Sequence, residues 1–340
     1  MTIKDIAQLS GYGVGTVSRV LNNHPAVSEE ARKKVQSVVA EHSFQLNTNA
    51  KHLKQLTSSN IAILVKGTQN LLFADILEQI QSLLRDSDRE TSVYYLDEDA
   101  NEVVFAIQLC REHKPQGVLF LGGDMEYFQS DFIDLSVPCV LLTNIARELN
   151  LTNLSSLSTD DTAAAARAID FLIERGHRHI GVLGGNWSSS QISYRRIIGC
   201  CTSFEHHGIP FDKELQCEPC RFSMQEAYAA TGRLLDRNPD MTAIFAMSDV
   251  MAIGVIRAIC DRGKRVPEDI SVIGYDGISS ARYSVPRLAT IQQDTCRLAE
   301  RGTEILLRSL EAPTEPIHEL VPFGLILGES VITLAEPSSI

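Results

Sequence analysis

Val14, Gly15, Ser18 and Arg19 recur at helical spacing and would share the outer face of one short helix. A guanidinium at Arg19 can grip O6 and N7 of a guanine with two parallel hydrogen bonds, worth about 1–3 kcal/mol of discrimination between bases. Val14 has the shape to meet a thymine methyl, and Gly15 permits close backbone approach. The hydroxyls of Thr16 and Ser18, with nearby backbone N–H groups, suit phosphate oxygens, which position a duplex without specifying its sequence. In isolation Arg19 would read as a solvated surface residue. Its surroundings decide otherwise.

Other motifs carry less. Gly11-x-Gly13-x-Gly15 resembles a nucleotide phosphate loop, but such a loop follows a buried strand, and here a helical segment precedes it. Cys217-x-x-Cys220 and the adjacent Cys200-Cys201 would suit zinc or redox chemistry only within a four-ligand pattern, and none is evident. Most of the eight cysteines sit in apolar runs, where a free thiol behaves as a small hydrophobe. There is no Gly-x-Ser-x-Gly elbow, Walker loop or His-Glu-x-x-His. The expectation is no cofactor, no metal and no enzyme.

The elements that must position Arg19 are legible. Thr2, with Asp5 three places on, starts a first helix whose buried side is Ile6, Ala7 and Leu9. Gly11-Tyr12-Gly13 breaks it. A second helix over Val14–Leu21 turns Val17, Val20 and Leu21 inward, and Asn22-Asn23-His24-Pro25 forms a loop. Ser28 caps a third helix, with Glu29 and Glu30 favourable in its first turn and Ala31, Val35, Val38 and Val39 at helical spacing. Two short helices with a tight turn and a third in support describe a helix-turn-helix. Charge agrees. The chain carries net −12, yet residues 1–58 hold seven Lys/Arg against four Asp/Glu, a +3 head on a −15 body. Only the head is suited to a polyanion.

Beyond the polar stretch Leu56–Asn60, apolar runs alternate with helical stretches. The runs include Ile61–Val65, Val93–Leu96, Gly117–Leu121, Cys139–Leu142, Ile180–Leu183, Ala243–Met247 and Ile270–Tyr275. Phe73–Leu84, Thr162–Ile173, Ala227–Leu235 and Val250–Cys260 read as helices. Continuous apolar strands separated by helices imply a doubly wound parallel sheet, and this many strands imply two lobes. Ligands then belong beyond the carboxyl ends of the strands. With 340 residues, 44% hydrophobic and 22% charged, a large core is expected. No run is long enough for a transmembrane helix and no apolar signal core follows Met1, so a cytoplasmic protein without a membrane partner is expected.

The run Thr2-Ile3-Lys4-Asp5-Ile6-Ala7, followed by Gly15-Thr16-Val17-Ser18-Arg19-Val20-Leu21-Asn22 and Val27-Ser28-Glu29-Glu30-Ala31-Arg32, closely resembles the head of lactose-repressor-type (LacI/GalR) transcription regulators. The resemblance continues through Gly176-His177-Arg178-His179-Ile180-Gly181, Ser248-Asp249-Val250-Met251-Ala252-Ile253-Gly254, Val266–Asp276 and Pro286–Ile291, so it covers essentially the whole chain. It implies an α/β protein: an all-α helix-turn-helix head over residues 1–45, a hinge helix and linker over 46–58, and a two-lobed, periplasmic-binding-protein-like effector and dimerisation domain over 59–340.

The resemblance also implies site residues. Asn22 belongs with the head, and Ala50, Leu53 and Lys54 with a hinge helix that contacts DNA. Leu53 matches a leucine inserted into the minor groove, where unstacking costs a few kcal/mol and a bent, better-wrapped duplex offsets it. Two departures bear on the hinge. Leu46 replaces a proline that would stiffen the helix start, and Lys51 keeps the charge of an arginine without its fork geometry. In the body, Arg196, three places before Gly199, matches an effector arginine. Asp249 and Asp276 match acids that face the ligand, with helix capping as the rival role for each. Phe73 matches an aromatic near the first helix of the domain, though Asn70-Leu71-Leu72-Phe73 replaces the usual Asn-Pro-Phe-Phe. Trp187, the one tryptophan, could stack on a sugar ring or pack structurally.

The functional expectation is a DNA-binding regulator, a repressor by resemblance, on a near-palindromic double-stranded operator, controlled by a small effector such as a sugar. The tail Ala335–Ile340 has no leucine heptads, so a homodimer is expected rather than a coiled-coil tetramer. Regulation by a phosphorylated carrier protein, as in catabolite-control members, and purine or nucleoside response are the alternatives. A solute-binding protein would share the lobes but have no use for residues 1–54.

Overall fold

The computed structural model describes residues 3–21, 27–41, 60–67, 69–85, 87–185 and 191–334. The chain forms two units, Met1–Thr57 and Ser58–Ile340.

The first unit contains helices α1 (Ile3–Ser10), α2 (Val14–Leu21) and α3 (Glu29–Glu41). Ile6, Ala7, Val17, Val20 and Val35 form its core, with Tyr12, Val27, Val38 and Val39 packed against it. One expectation fails: Leu9 is 51% exposed. The buried stripe of α1 runs through Ile6, Ala7 and Ser10, and Leu9 falls outside it. Gly11, at φ +73°, ends the helix by donating its N–H to the Ala7 carbonyl. The Ser28 hydroxyl accepts from Ala31 N at 3.3 Å, the expected cap of α3.

The second unit holds two six-stranded sheets. The first is ordered β11-β5-β4-β3-β1-β2 and wholly parallel; these strands are β1 (Asn60–Lys66), β2 (Glu90–Leu96), β3 (Gly117–Leu121), β4 (Cys139–Leu142), β5 (Leu154–Thr159) and β11 (His318–Val321). The second is ordered β12-β10-β9-β8-β6-β7, comprising β6 (Ile180–Leu183), β7 (Cys217–Glu218), β8 (Ala243–Ala246), β9 (Ser271–Asp276), β10 (Ala289–Gln293) and β12 (Phe323–Ile326). Its edge strand β12 runs antiparallel to β10, which corrects the expectation of purely parallel sheets. Pro322 alone separates β11 from β12, so the chain leaves one sheet and enters the other with no room for a crossover helix.

The chain passes between lobes three times: after β5, after β10 and after β11. The helix after β10, Thr295–Glu311, returns to pack on β3, β4 and β5. Strand interiors such as Ile61–Val65, Val118–Leu121 and Ala243–Ala246 are buried, as expected for sheets covered on both faces. Among the described residues, no helix is long and apolar enough to cross a membrane.

Candidate functional site

In the head, Val17 and Val20 of α2 are buried, which turns Gly15 and Arg19 outward; both are exposed and Thr16 is half-buried. A side chain at Gly15 would meet nothing within 4 Å, so this face is open. Val14 and Ser18 lie on the same helix, but their side chains fall outside the described set. Asn22, Ala50, Leu53 and Lys54, with the whole hinge reading, also lie outside the described residues.

In the second unit a cavity of about 290 Å³ lies between the lobes, beyond the carboxyl ends of strands from both sheets. Lys66, Asp97, Gly122 and Asn144 reach it from the ends of β1, β2, β3 and β4. Arg221 and Phe222 follow β7, and Asp276 and Gln293 close β9 and β10. Gln191 and Arg196 come from the start of the helix Ile192–His206.

Asp276 is the chemical centre of this cavity. It is 2% exposed and stands at φ +117°, a backbone region that L residues rarely adopt. Its Oδ1 accepts from Gln293 Nε2 at 2.9 Å, while Oδ2 is buried without a partner among the described residues. Burial raises its pKa to about 7, against the pull of Arg196 and the Gln293 bond. A buried carboxylate with one oxygen unsatisfied can accept a hydroxyl donor.

Arg196 is equally buried. Its Nε donates to Asp161 Oδ1 at 2.8 Å, its Nη1 donates to the Met247 carbonyl, and its guanidinium lies 3.7 Å from the centroid of the Tyr275 ring. Tyr275 Oη donates to the same Asp161 oxygen at 2.8 Å. Lys66 is likewise held: its Nζ is 2.6 Å from Glu102 Oε2. Glu102 Oε1 accepts from Asp124 N at 2.6 Å, so that carboxylate is satisfied on both oxygens. Burial nevertheless raises the pKa of Glu102.

Phe73 lines the cavity, 6% exposed. Asn70 starts its helix, accepting from Leu72 N at 3.1 Å, so the altered loop still forms a capped helix start. Gly122, at φ +78°, makes room for the ring: a Cβ there would lie 2.8 Å from Phe73 Cζ.

Asp249 needs correction. It is fully buried and is not part of the lining. Its Oδ2 accepts from the N–H groups of Gly277 and Ile278 at 2.7 and 2.9 Å, and its Oδ1 accepts from Thr290 Oγ1 at 2.6 Å. Nor is it the helix cap: Ser248 fills that place, accepting from Met251 N at 3.2 Å, which leaves Asp249 free to pin the turn behind Asp276. Asp249 is thus a positioning residue. Trp187 lies outside the described residues. Among the described residues, the cavity's aromatic groups are Phe73 and Phe222. Phe222 has no local sequence signature, since its place in the cavity depends on a loop of the other lobe. Burial pushes the Cys217 and Cys220 thiols up to about 12, so neither is a thiolate near neutrality. Asn144, Gln191 and Gln293 were missed as well. Position beyond a strand end would have found Asn144 and Gln293.

Comparison with known proteins agrees with this geometry. Residues 2–47 match the model of bacterial regulatory proteins of the lacI family, and residues 169–331 match a periplasmic binding protein-like domain. The HTH-type transcriptional regulator MalR of Clostridium butyricum is 34% identical over 337 residues, covering 98% of this chain and all of the relative. The ribose operon repressor of Haemophilus influenzae is 31% identical, covering 98% of this chain and 99% of its own. Among solved structures, the transcriptional regulator CelR in complex with cellobiose aligns over 97% of this chain and 99% of its own, with TM-score 0.71 and 26% identity. The lac repressor dimer bound to operator shares the fold, with TM-score 0.72 over 98% of this chain and 99% of its own at 24% identity. The helix-turn-helix head, the two-sheet body and full-length relatives all point one way: the chain belongs to the LacI family of bacterial regulatory proteins and is a DNA-binding transcriptional regulator.

Proposed function

We propose that this regulator binds operator DNA as a homodimer through Gly15, Thr16 and Arg19, and that a neutral polyhydroxylated effector, a sugar, occupies the cavity and sets operator affinity. The hinge residues 46–58 would carry the signal, with Leu53 at the DNA. No chemical step is needed at the cavity. Occupancy acts by favouring one lobe arrangement over another.

One observation carries the effector class. Among the described residues, each of the three cations on the lining, Lys66, Arg196 and Arg221, is held by a carboxylate of the chain itself, whereas Asp276 Oδ2 lacks a donor. Such a lining rejects a phosphate or carboxylate, for which no unpaired cation is offered, and accepts hydroxyl donors. Phe73 and Phe222 supply apolar surface for the face of a sugar ring. The ribose operon repressor carries a sugar in its name, and the CelR structure holds cellobiose, which supports the same reading.

A thermal-shift panel on the full chain tests it, using maltose, cellobiose, ribose, glucose 6-phosphate, galacturonate, adenosine and hypoxanthine. A ligand at 100 times its Kd adds about 2.7 kcal/mol of stability, a clear rise in Tm. A neutral sugar should give that rise. A rise with only the phosphorylated, acidic or purine compounds would overturn the assignment.

A further inference from the structure

The loop after β2 carries Asp97, Glu98 and Asp99 and belongs to the first lobe; the loop after β7 carries Arg221 and Phe222 and belongs to the second. These loops meet across the cleft. Arg221 Nη2 lies 2.6 Å from Asp97 Oδ1 and 3.0 Å from Asp99 Oδ2, and Arg221 Nε lies 3.7 Å from Glu98 Oε2. The backbone N–H of Phe222 donates to the same Glu98 oxygen at 3.4 Å. Asp97 Oδ1 also accepts from Asp99 N at 3.0 Å, which holds the acidic loop in one shape. Asp97, Glu98, Arg221 and Phe222 border the cavity, while the side chains of Asp97, Asp99 and Arg221 are exposed at its rim.

Among the described residues, every ion pair that crosses between the lobes uses Arg221. A hydrogen bond without a cation joins them elsewhere: Gln191 Nε2 donates to Asp124 Oδ2. Thr159 Oγ1 also donates to Gln293 Oε1 at 3.0 Å, the Ser279 N–H faces the Asp75 carboxylate, and apolar residues of both sheets share one buried cluster; Arg221 supplies the charged contact at the rim. Exposed ion pairs are individually weak and screened by salt. Three carboxylates converging on one guanidinium therefore give a contact that can form and break, where a buried pair would lock.

We propose that Arg221 and the acidic run Asp97–Asp99 form a reversible latch at the cleft rim that holds the lobes closed over the cavity. The Phe222 N–H bond to Glu98 makes Phe222 part of the latch, so the ring joins the cavity wall when the latch is engaged. The proposal rests on the cavity being the effector site, but its test needs no effector.

Amide hydrogen exchange on the full chain without ligand reads the latch directly, at the peptide covering Arg221 and Phe222. R221E should speed exchange there about tenfold or more. The charge-swapped R221E/D97K/D99K should return it to within about threefold of wild type. Raising NaCl from 0.05 to 1 M should speed the wild-type peptide several-fold and leave the swap's core strand β10 unchanged. Exchange in R221E equal to wild type, or a charge swap as fast as R221E, would overturn the latch. Should R221E also loosen β10, the wild-type salt series decides: a salt-insensitive Phe222 amide rejects the proposal. A latch that fails here takes Arg221 out of the argument for a neutral effector, which Lys66, Arg196 and Asp276 still carry and the thermal-shift panel decides; a latch that holds says nothing for any particular sugar.

Discussion

Gln293 joins Asp276 to the crossover between lobes: its Nε2 donates to Asp276 Oδ1 at 2.9 Å, and its Oε1 accepts from Thr159 Oγ1 at 3.0 Å. Thr159 ends β5 and Gln293 ends β10, the last residues of two strands from which the chain changes lobe. Asp276 is therefore linked through one side chain to the ends of two strands from which the chain crosses between lobes.

Asp276 should make effector binding pH-dependent. Its pKa stands at about 7 because burial disfavours the ion. A hydroxyl donated to Oδ2 stabilises the ion and lowers that pKa, so binding releases a proton and affinity rises as pH climbs from about 6 to 8. Titration calorimetry with the sugar identified by thermal shift should show this trend in wild type. In Asp276→Asn the trend should be absent and binding weaker throughout.

The same group should limit stability. A folded-state pKa raised above the unfolded value means stability is fully present below about pH 4 and lost as pH rises through about 7. Asp276→Asn removes this penalty. The unliganded variant should be more stable than wild type at pH 8 by roughly 1–3 kcal/mol, with the gain shrinking towards pH 5. Denaturant melts of the full chain at the two pH values check it.

Arg196→Met should be costly. It leaves Asp161 buried with no cation and removes the partner stacked on Tyr275. Breaking such a pair by removing one member costs about 3–5 kcal/mol. Urea unfolding should show a loss of that order, whereas breaking an exposed pair such as Arg287 with Glu329 should leave the unfolding curve almost unmoved.

Two glycines should respond oppositely to alanine. Gly122→Ala places a Cβ against Phe73 at a positive φ and should destabilise by about 1–3 kcal/mol while weakening effector binding. Gly15→Ala, inside α2 with open space around it, should stabilise the head by about 0.5–1 kcal/mol and still alter operator affinity. Melting curves and operator titrations of the two variants separate the effects.

Legibility in the sequence followed physical range. The head was readable because caps, a glycine break and a 3.6-residue period act within a few residues, and Ser28, Gly11 and Val17 do what their types imply. Strands β1, β3, β4, β6 and β8 were readable as continuous apolar runs. Strand β12 was not, because it is a four-residue edge strand interrupted by Gly324 and only half-buried, so it makes no continuous apolar run. In the cavity, Arg196, Asp276 and Phe73 carried a signal through motif spacing. Asp249 misled because its motif position is the same whether its carboxylate faces a ligand or pins the Gly277–Ile278 backbone; only the fold decides. Phe222 and Arg221 had no local signature, since their role depends on a loop from the opposite lobe.

The account stands or falls on coupling between the cavity and operator DNA. The most direct measurement is the Kd of the full chain for a duplex selected from random sequence, at fixed salt, with and without the stabilising sugar. Arg19→Ala and Asp276→Asn run in parallel. The account predicts that the sugar shifts the wild-type Kd by about 5–150-fold, a typical allosteric coupling. It predicts that Asp276→Asn abolishes the shift, and that Arg19→Ala weakens binding by about 1–3 kcal/mol and relaxes preference at one base pair. Operator binding indifferent to a sugar that stabilises the protein, or unchanged by Arg19→Ala, would contradict it.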